Sequence, residues 1–386
     1  MENEIQSLDT LRKRIDEVDR QLVELFKERM AISAGVARYK QEKGLPVLDA
    51  GRERDKLMRI SELAGEDFAD YSRVLYSTIM ALSRSYQEKL LGTESALGAL
   101  IQFAEANTPK LFPTTAKVAC QGIEGAYSQI AAQKLFELPQ IEYFPSFDEV
   151  FEAIETGKCR YGVLPIENST AGSVGKVYDL MLKHKFYIVR SFRLKIDHNL
   201  LAKQGVQLEN IREVFSHEQA ISQCAAFLKE NPQIKVTACP NTAMAARLAA
   251  ETDRNDVAAL SSNDCAQLYG LANLVPNVQD NANNYTRFIC ISRTHEIYPG
   301  ADKTTLMLRA PHRPGALHVL LSHFFAHGIN ISKLESRPLP DRDFEFLFYL
   351  DLDISVYSPK LPTVLAELER QSEQFRYLGS YSEHIG

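Results

Sequence analysis

Between Leu8 and Tyr39, ten positions spaced three and four residues apart form one stripe; nine are apolar and the tenth is Arg29. A guanidinium among carbon side chains has to meet an anion, because a buried unpaired charge is strongly unfavourable. Two readings fit: a structural ion pair, with Glu53 as the partner, or a site for a small anionic molecule. Lys40 lies eleven residues further on, about three turns along the same face. Arg52 and Glu53 follow a turn at Asp49, and Arg12 flanks the stripe. Ser83 and Gln87, four residues apart, put two neutral hydrogen-bonding groups on one helix face. A surplus of cations in an apolar interior suits a small dianion.

Three polar clusters sit further along the chain, where apolar runs end. Glu167, Asn168, Ser169 and Thr170 follow Val163-Leu164-Pro165-Ile166, and off the carboxyl end of a strand is where open α/β sheets bind ligands. A helix-capping turn is the alternative there. Ser216-His217-Glu218-Gln219, with Gln223 after it, reads equally as a capping box, although capping leaves Gln223 unexplained. Asn284-Tyr285-Thr286-Arg287-Phe288 is otherwise a plain strand start.

The elements carrying these residues change character along the chain. Up to residue 91 the rhythm is helical: one helix of roughly 34 residues, about 50 Å long, stopped by Lys43-Gly44-Leu45-Pro46, then two shorter helices, the third near 68–90. Three such helices cannot cover the long stripe, which predicts an intertwined dimer, or a higher even-numbered assembly. Residues 92–115 read as a linker with some residual helix. From 116 to 295 short apolar runs alternate with helical ones, which predicts a two-lobed α/β domain with largely parallel sheets. From 302 to 386 the order is βαββαβ, a ferredoxin-like α+β arrangement, with Phe344, Phe346, Phe348, Leu350 and Leu352 expected on one face of a strand.

Composition narrows the function classes. The 386 residues carry 44 basic and 50 acidic side chains, a net charge of −6, with no basic block, which disfavours nucleic-acid binding. No apolar run approaches the roughly 20 residues of a membrane span, and the first residues lack the pattern of a secretory signal. The six cysteines are scattered without a CxxC pair, which suits reduced thiols in a cytoplasmic protein rather than a disulfide frame or a zinc site. Neither a metal motif nor a dinucleotide-binding G-x-G-x-x-G appears, so no metal and no cofactor are expected.

Arg12, Arg29, Lys40, Asp49-Ala50-Gly51-Arg52-Glu53 and Ser83-Arg84-Ser85-Tyr86-Gln87 together resemble the all-helical chorismate mutase family. The resemblance implies that Arg29 and a partner subunit's Arg12 grip the carboxylates of chorismate. Lys40 and Gln87 would face the ether oxygen, Glu53 would hold the ring hydroxyl, and Arg52 and Ser83 would line the remaining wall. The glycine-rich Gln121–Ser128, the Pro165-Ile166-Glu167-Asn168 stretch, Ser216-His217 through Cys224 and Thr286-Arg287-Phe288 resemble prephenate dehydratase. That family folds like type II solute-binding proteins. It implies Thr286 beside the leaving hydroxyl of prephenate, Glu167, Asn168, Ser216 and Gln223 around it, and Arg287 on a carboxylate. Ser169, Thr170, His217 and Gln219 are further binding candidates. Gly315-Ala316-Leu317, after Arg313-Pro314, and Glu335-Ser336-Arg337-Pro338 resemble the ACT domains of amino-acid-regulated dehydratases. Those motifs imply L-phenylalanine as an allosteric ligand. In this order the three sets resemble the fused mutase–dehydratase family, which turns chorismate into prephenate and then phenylpyruvate. A mutase–dehydrogenase fusion would need the missing dinucleotide motif, and a non-catalytic solute sensor would bind without turnover.

Overall fold

The computed structural model describes residues 7–91, 96–312, 315–339 and 345–386. These divide into two compact units: residues 1–100 with 308–331 and 358–375, and residues 101–307 with 332–357 and 376–386.

The first unit opens with the helix Leu8–Glu42, capped by Ser7, whose hydroxyl accepts from the Thr10 amide at 3.3 Å. It ends before Gly44, whose φ of 61° only glycine adopts freely. Asp49 caps Ala50–Ala64 by accepting from Arg52 N at 3.0 Å, and Ala69–Leu91 is the third helix. Only Ser33 and Ala37 of the long helix are buried, and Leu11, Ile15, Val18, Leu22, Leu25, Ile32, Val36 and Tyr39 are exposed. Helices Ala316–His327 and Leu361–Gln371 also belong to this unit.

The second unit contains two sheets built by one chain that crosses between them twice. The first has seven strands, in the order 383–385, 187–195, 285–292, 161–168, 115–121, 138–144, with 172–173 beside 161–168. The second has five, in the order 272–275, 199–202, 257–261, 213–216, 235–238. Both are mixed rather than largely parallel: Tyr285–Ser292 runs antiparallel to both of its neighbours. The chain leaves the first sheet after Lys195, builds the second, and returns at the same end, with Tyr285 opposite Lys195, so Tyr285–Ser292 runs back antiparallel to 187–195. Strands Leu138–Phe144, Asn199–Ala202 and Ala272–Val275 lack the clear apolar patterning that marks their neighbours. Within residues 92–115, expected as a linker with some residual helix, lies the helix Ala96–Asn107.

The C-terminal βαββαβ order forms a four-stranded sheet, 330–338, 346–353, 303–309, 374–381. Phe344 lies outside the described residues. Phe346 is exposed, while Leu347, Tyr349, Leu350, Asp351 and Leu352 are all buried, so this strand is covered on both sides rather than on a phenylalanine face. The cause is a shared core: Leu347, Tyr349, Leu378 and Tyr381 join Phe151, Tyr178, Met181 and Ile188 in one apolar cluster. Gly379, at φ 138°, passes so close to strand 187–195 that a Cβ there would lie 2.3 Å from the Ile188 carbonyl oxygen. All six cysteines are buried and unpaired. No helix among the described residues is long and apolar enough to cross a membrane.

Candidate active sites

A cavity of about 840 Å3 opens within the helical bundle. Arg29, Lys40, Asp49, Arg52, Glu53, Ser83 and Gln87 all line it, drawn from three helices and the turn before the second. Ser33 Oγ and Ser83 Oγ are 2.7 Å apart and tie the first helix to the third at the cavity wall. Gln87 Nε2 donates to Ser83 Oγ at 3.4 Å. Glu53 does not neutralise Arg29. It pairs instead with Arg84, which lies inside the Ser83–Gln87 stretch. Arg29 Nη1 and Gln87 Oε1 are both buried without a hydrogen-bond partner among the described residues. A buried donor and a buried acceptor left open on one cavity are able to meet a polar ligand there. Arg12 is not there: it is two-thirds exposed and lies beside Asp9, roughly 25 Å from Arg29 along the helix at 1.5 Å per residue.

The second cavity, about 320 Å3, lies between the two sheets of the second unit. Thr286, on the returning strand, lines it. Asn168 Nδ2 donates to Thr286 Oγ1 at 3.0 Å and to Asn284 Oδ1 at 2.8 Å. Asn168 Oδ1 accepts from Thr170 Oγ1 at 2.7 Å and from Gln223 Nε2 at 3.2 Å. Gln223 Oε1 accepts from Asn284 Nδ2 and from His198 Nε2, each at 3.0 Å. The directions are mutually consistent, and Thr286 Oγ1 is an acceptor within the network, which leaves its own hydrogen for the cavity. Burial holds the His198 imidazole below its ordinary pKa against the opposing effect of the hydrogen bond it donates to Gln223, so the ring is neutral near pH 7. His217 and Gln219 line the cavity at a helix start, where His217 Nδ1 accepts from the Gln219 amide at 3.2 Å. Gly125, beside the cavity, has φ 91°, and a Cβ there would meet Cys265 Sγ at 2.8 Å.

Three residues expected around Thr286 stand elsewhere. Ser216 is fully buried and donates to the Leu260 carbonyl at 2.8 Å, joining two strands of the second sheet. Glu167 and Arg287 face away, because side chains alternate along a strand and their neighbours Asn168 and Thr286 take the cavity side. Arg287 Nε meets Glu167 at 2.6 Å, and its Nη2 pairs with Asp351 of the C-terminal sheet. Burial disfavours its charge, but Asp351, Tyr381 and Glu167 outweigh that and hold its pKa well above the usual value. Ser169 also turns from the cavity, donating to Asn283 O at 3.0 Å and accepting from Tyr285 N at 2.9 Å.

With Arg287 withdrawn, no lysine or arginine among the described residues lines this cavity. What converges on it are helix starts: Ala126, Tyr127 and Ser128; His217, Gln219 and Ala220; Asn241 and Thr242. Exposed amides at such ends bind carboxylates. Asn284 stood within a stretch already singled out by its sequence, whereas His198 sits alone in a short crossing segment and no motif marks it.

Comparison with known proteins gives two family matches: chorismate mutase type II over residues 11–88 and prephenate dehydratase over 118–296. Along nearly its whole length the chain is similar to two bifunctional chorismate mutase/prephenate dehydratases. That of Aquifex aeolicus is 30% identical, with 99% of each chain covered, and that of Escherichia coli is 32% identical, with 97% of this chain and 96% of the other covered. The chain belongs to the bifunctional chorismate mutase/prephenate dehydratase family. A bifunctional chorismate mutase/prephenate dehydratase rearranges chorismate to prephenate, then removes carbon dioxide and water to give phenylpyruvate, on the route to phenylalanine. A solved prephenate dehydratase of Arthrobacter aurescens in complex with L-Phe superposes with a TM-score of 0.64 at 29% identity, covering 69% of this chain and 90% of that one.

In this member of the mutase/dehydratase family the C-terminal motif residues are placed as follows. Gly315, with φ 79°, precedes the helix that Ala316 and Leu317 begin; Arg313 and Pro314 lie outside the described residues. On strand Asn330–Pro338, Lys333, Glu335 and Arg337 meet polar side chains between residues 167 and 179 of the same unit. Glu335 accepts from Ser173 Oγ at 2.7 Å, Arg337 grips Asp179 at 2.8 Å, and Lys333 pairs with Glu167. Ser336 and Pro338 are exposed.

Proposed function

We propose that the helical cavity is the chorismate mutase site and that the cavity at Thr286 is the prephenate dehydratase site. The observation that carries this assignment is the division of charge between the two. The helical cavity is lined by Arg29, Lys40 and Arg52, with an open guanidinium donor. The Thr286 cavity has a neutral hydrogen-bonded cage and, among the described residues, no lysine or arginine in its wall.

The rearrangement of chorismate moves no proton and needs no nucleophile. It needs the compact conformer held and charge on the breaking ether bond stabilised. Arg29 holds a carboxylate, Lys40 and Gln87 serve the ether oxygen, and Glu53, fixed by Arg84, takes the ring hydroxyl. Asp49 organises the turn that presents Arg52, and Ser83 completes the wall. A second copy of this chain supplies Arg12 and covers the apolar face of Leu8–Glu42; the exposed stripe of that helix supports a homodimer.

In the dehydratase cavity, aromatisation drives the loss of carbon dioxide and hydroxide, so the protein has to polarise the departing hydroxyl. Thr286 does this, its hydrogen directed by the bond it accepts from Asn168. Gln223, Thr170, His217 and Gln219 surround the ring, and the helix starts at Tyr127 and Thr242 take the carboxylates. Glu167 and Arg287 support the strands from behind. The C-terminal βαββαβ segment is an ACT-type sensor binding L-phenylalanine through Gly315, Ala316, Leu317, Glu335, Ser336, Arg337 and Pro338, and feedback inhibition follows. The six unpaired thiols fit a cytoplasmic setting. An assay of chorismate consumption that follows prephenate and phenylpyruvate separately, with and without L-phenylalanine, tests both assignments and the regulation together.

A further inference from the structure

The helix Ala69–Leu91 has two polar faces. Ser83 and Gln87 look into the helical cavity. Ser85 and Glu88, turned about 150° from them at roughly 100° per residue, look the other way. That second face meets a buried cluster in the same compact unit. Glu367, fully buried on helix Leu361–Gln371, accepts from Ser85 Oγ through Oε1. Its Oε2 lies 3.1 Å from His323 Nδ1 and 3.3 Å from His327 Nε2, one turn apart on helix Ala316–His327. Arg370, on the same helix as Glu367, meets Glu88 at 3.1 Å. Burial pushes the Glu367 carboxyl up, but the bonds from His323, His327 and Ser85 outweigh it and bring it down to about 2, so it is an anion with every contact accepted.

We infer that Glu367 is a positioning residue for the mutase reaction: by holding Ser85, it fixes the rotation and height of the helix that presents Ser83 and Gln87 to chorismate. A carboxylate that joins three helices through both of its oxygens defines their mutual placement more sharply than apolar contact does. The cavity is sensitive to that placement, since a shift of the order of 1 Å at a reacting centre costs about 100-fold in rate. The inference rests on reading this cavity as the mutase site.

The test uses the full-length protein with Glu367→Gln, Ser85→Ala, their combination, and Gln87→Ala as the probe of the site itself. Glu367→Gln should lower the mutase kcat roughly 3- to 30-fold, the range for coupling through a packed network, with KM little changed and the rate of prephenate dehydration unchanged. Ser85→Ala, which leaves the carboxylate with both imidazoles, should give the same split, and the double variant should be no worse than the poorer single one. If Gln87→Ala abolishes the mutase while Glu367→Gln and Ser85→Ala stay within twofold of wild type, Glu367 is only an anchor and the inference fails. Parallel loss of mutase and dehydratase in Glu367→Gln and Ser85→Ala would equally overturn it, as general destabilisation. A mutase untouched by Gln87→Ala overturns the reading of the cavity instead.

Discussion

Arg287 and Asp351 form an ion pair in which each side chain is only 7% exposed, joining the strand of Thr286 to the C-terminal sheet. Glu167, paired in register with Arg287, shares the same guanidinium. Removing one partner from such a group leaves uncompensated buried charge, at about 3–5 kcal/mol. Arg287→Met is therefore expected to lower the unfolding midpoint in urea and to abolish dehydration, with chorismate still consumed. Wild-type stability in that variant would show that the pair locks nothing.

Arg29→Ala is expected to remove chorismate consumption and leave prephenate dehydration nearly intact. The open Nη1 of Arg29 has no structural partner to lose, so thermal stability should change little. A large drop in stability would return Arg29 to the structural reading.

Thr286→Val keeps the shape of the side chain but removes the hydroxyl that accepts from Asn168. Phenylpyruvate formation should fall about 100-fold or more, within the range for lost polar or acid–base assistance. Prephenate formed from chorismate should accumulate in the same assay. Near wild-type dehydration would take Thr286 out of the mechanism.

His295 stacks on Tyr187 at 4.4 Å and meets the edge of Tyr377 at 5.3 Å, and neither ring nitrogen has a hydrogen-bond partner among the described residues. Burial lowers its pKa from 6.5 to about 4. The unfolded chain thus takes up a proton near pH 6.5 and the folded chain only near pH 4. The stability from keeping this ring neutral is complete above about pH 6.5 and is lost as the pH falls towards 4, by roughly 3 kcal/mol. His295→Phe should flatten the stability profile across that window, measured by denaturant unfolding from pH 7 to pH 4. An unchanged slope would assign the pH dependence to other groups.

Phenylalanine sensitivity is best probed by point substitution. Leu347, Tyr349, Leu378 and Tyr381 sit in a core shared with Phe151 and Tyr178, so truncation after residue 295 would open that core rather than silence a sensor. Glu335→Ala loses one bond, to Ser173. It should leave uninhibited dehydration within a few-fold of wild type and weaken inhibition by L-phenylalanine 5-fold or more, the low end of a coupling of about 1–3 kcal/mol. Undiminished inhibition would separate Glu335 from the effector site.

The sequence exposed the helical site well because Arg29 breaks an otherwise apolar stripe, and a charge among carbon demands an explanation. It exposed the second site less well, although the means were at hand. Residues 286 and 287, or 167 and 168, cannot both face one cavity from a strand with a two-residue period, and alternation would have separated Thr286 and Asn168 from Arg287 and Glu167. Asp351 was beyond reach, since only tertiary folding brings a strand more than 60 residues away against Arg287. His198 carries no motif and becomes visible only once Gln223 is in place. The antiparallel return of Tyr285–Ser292 depends on the chain crossing twice between two sheets, which local patterning does not record.

Those two crossings have a mechanical consequence. Thr286 and Asn168 belong to one lobe, Gln223 to the other, and His198 and Asn284 sit on the connecting segments. The bonds from Gln223 to Asn168, Thr170, Asn284 and His198 are therefore also the clasp between the lobes. Any motion that separated the lobes would therefore also release Asn168 Oδ1 and Thr170 from Gln223, while the bond from Asn168 to Thr286 would stay within its own lobe.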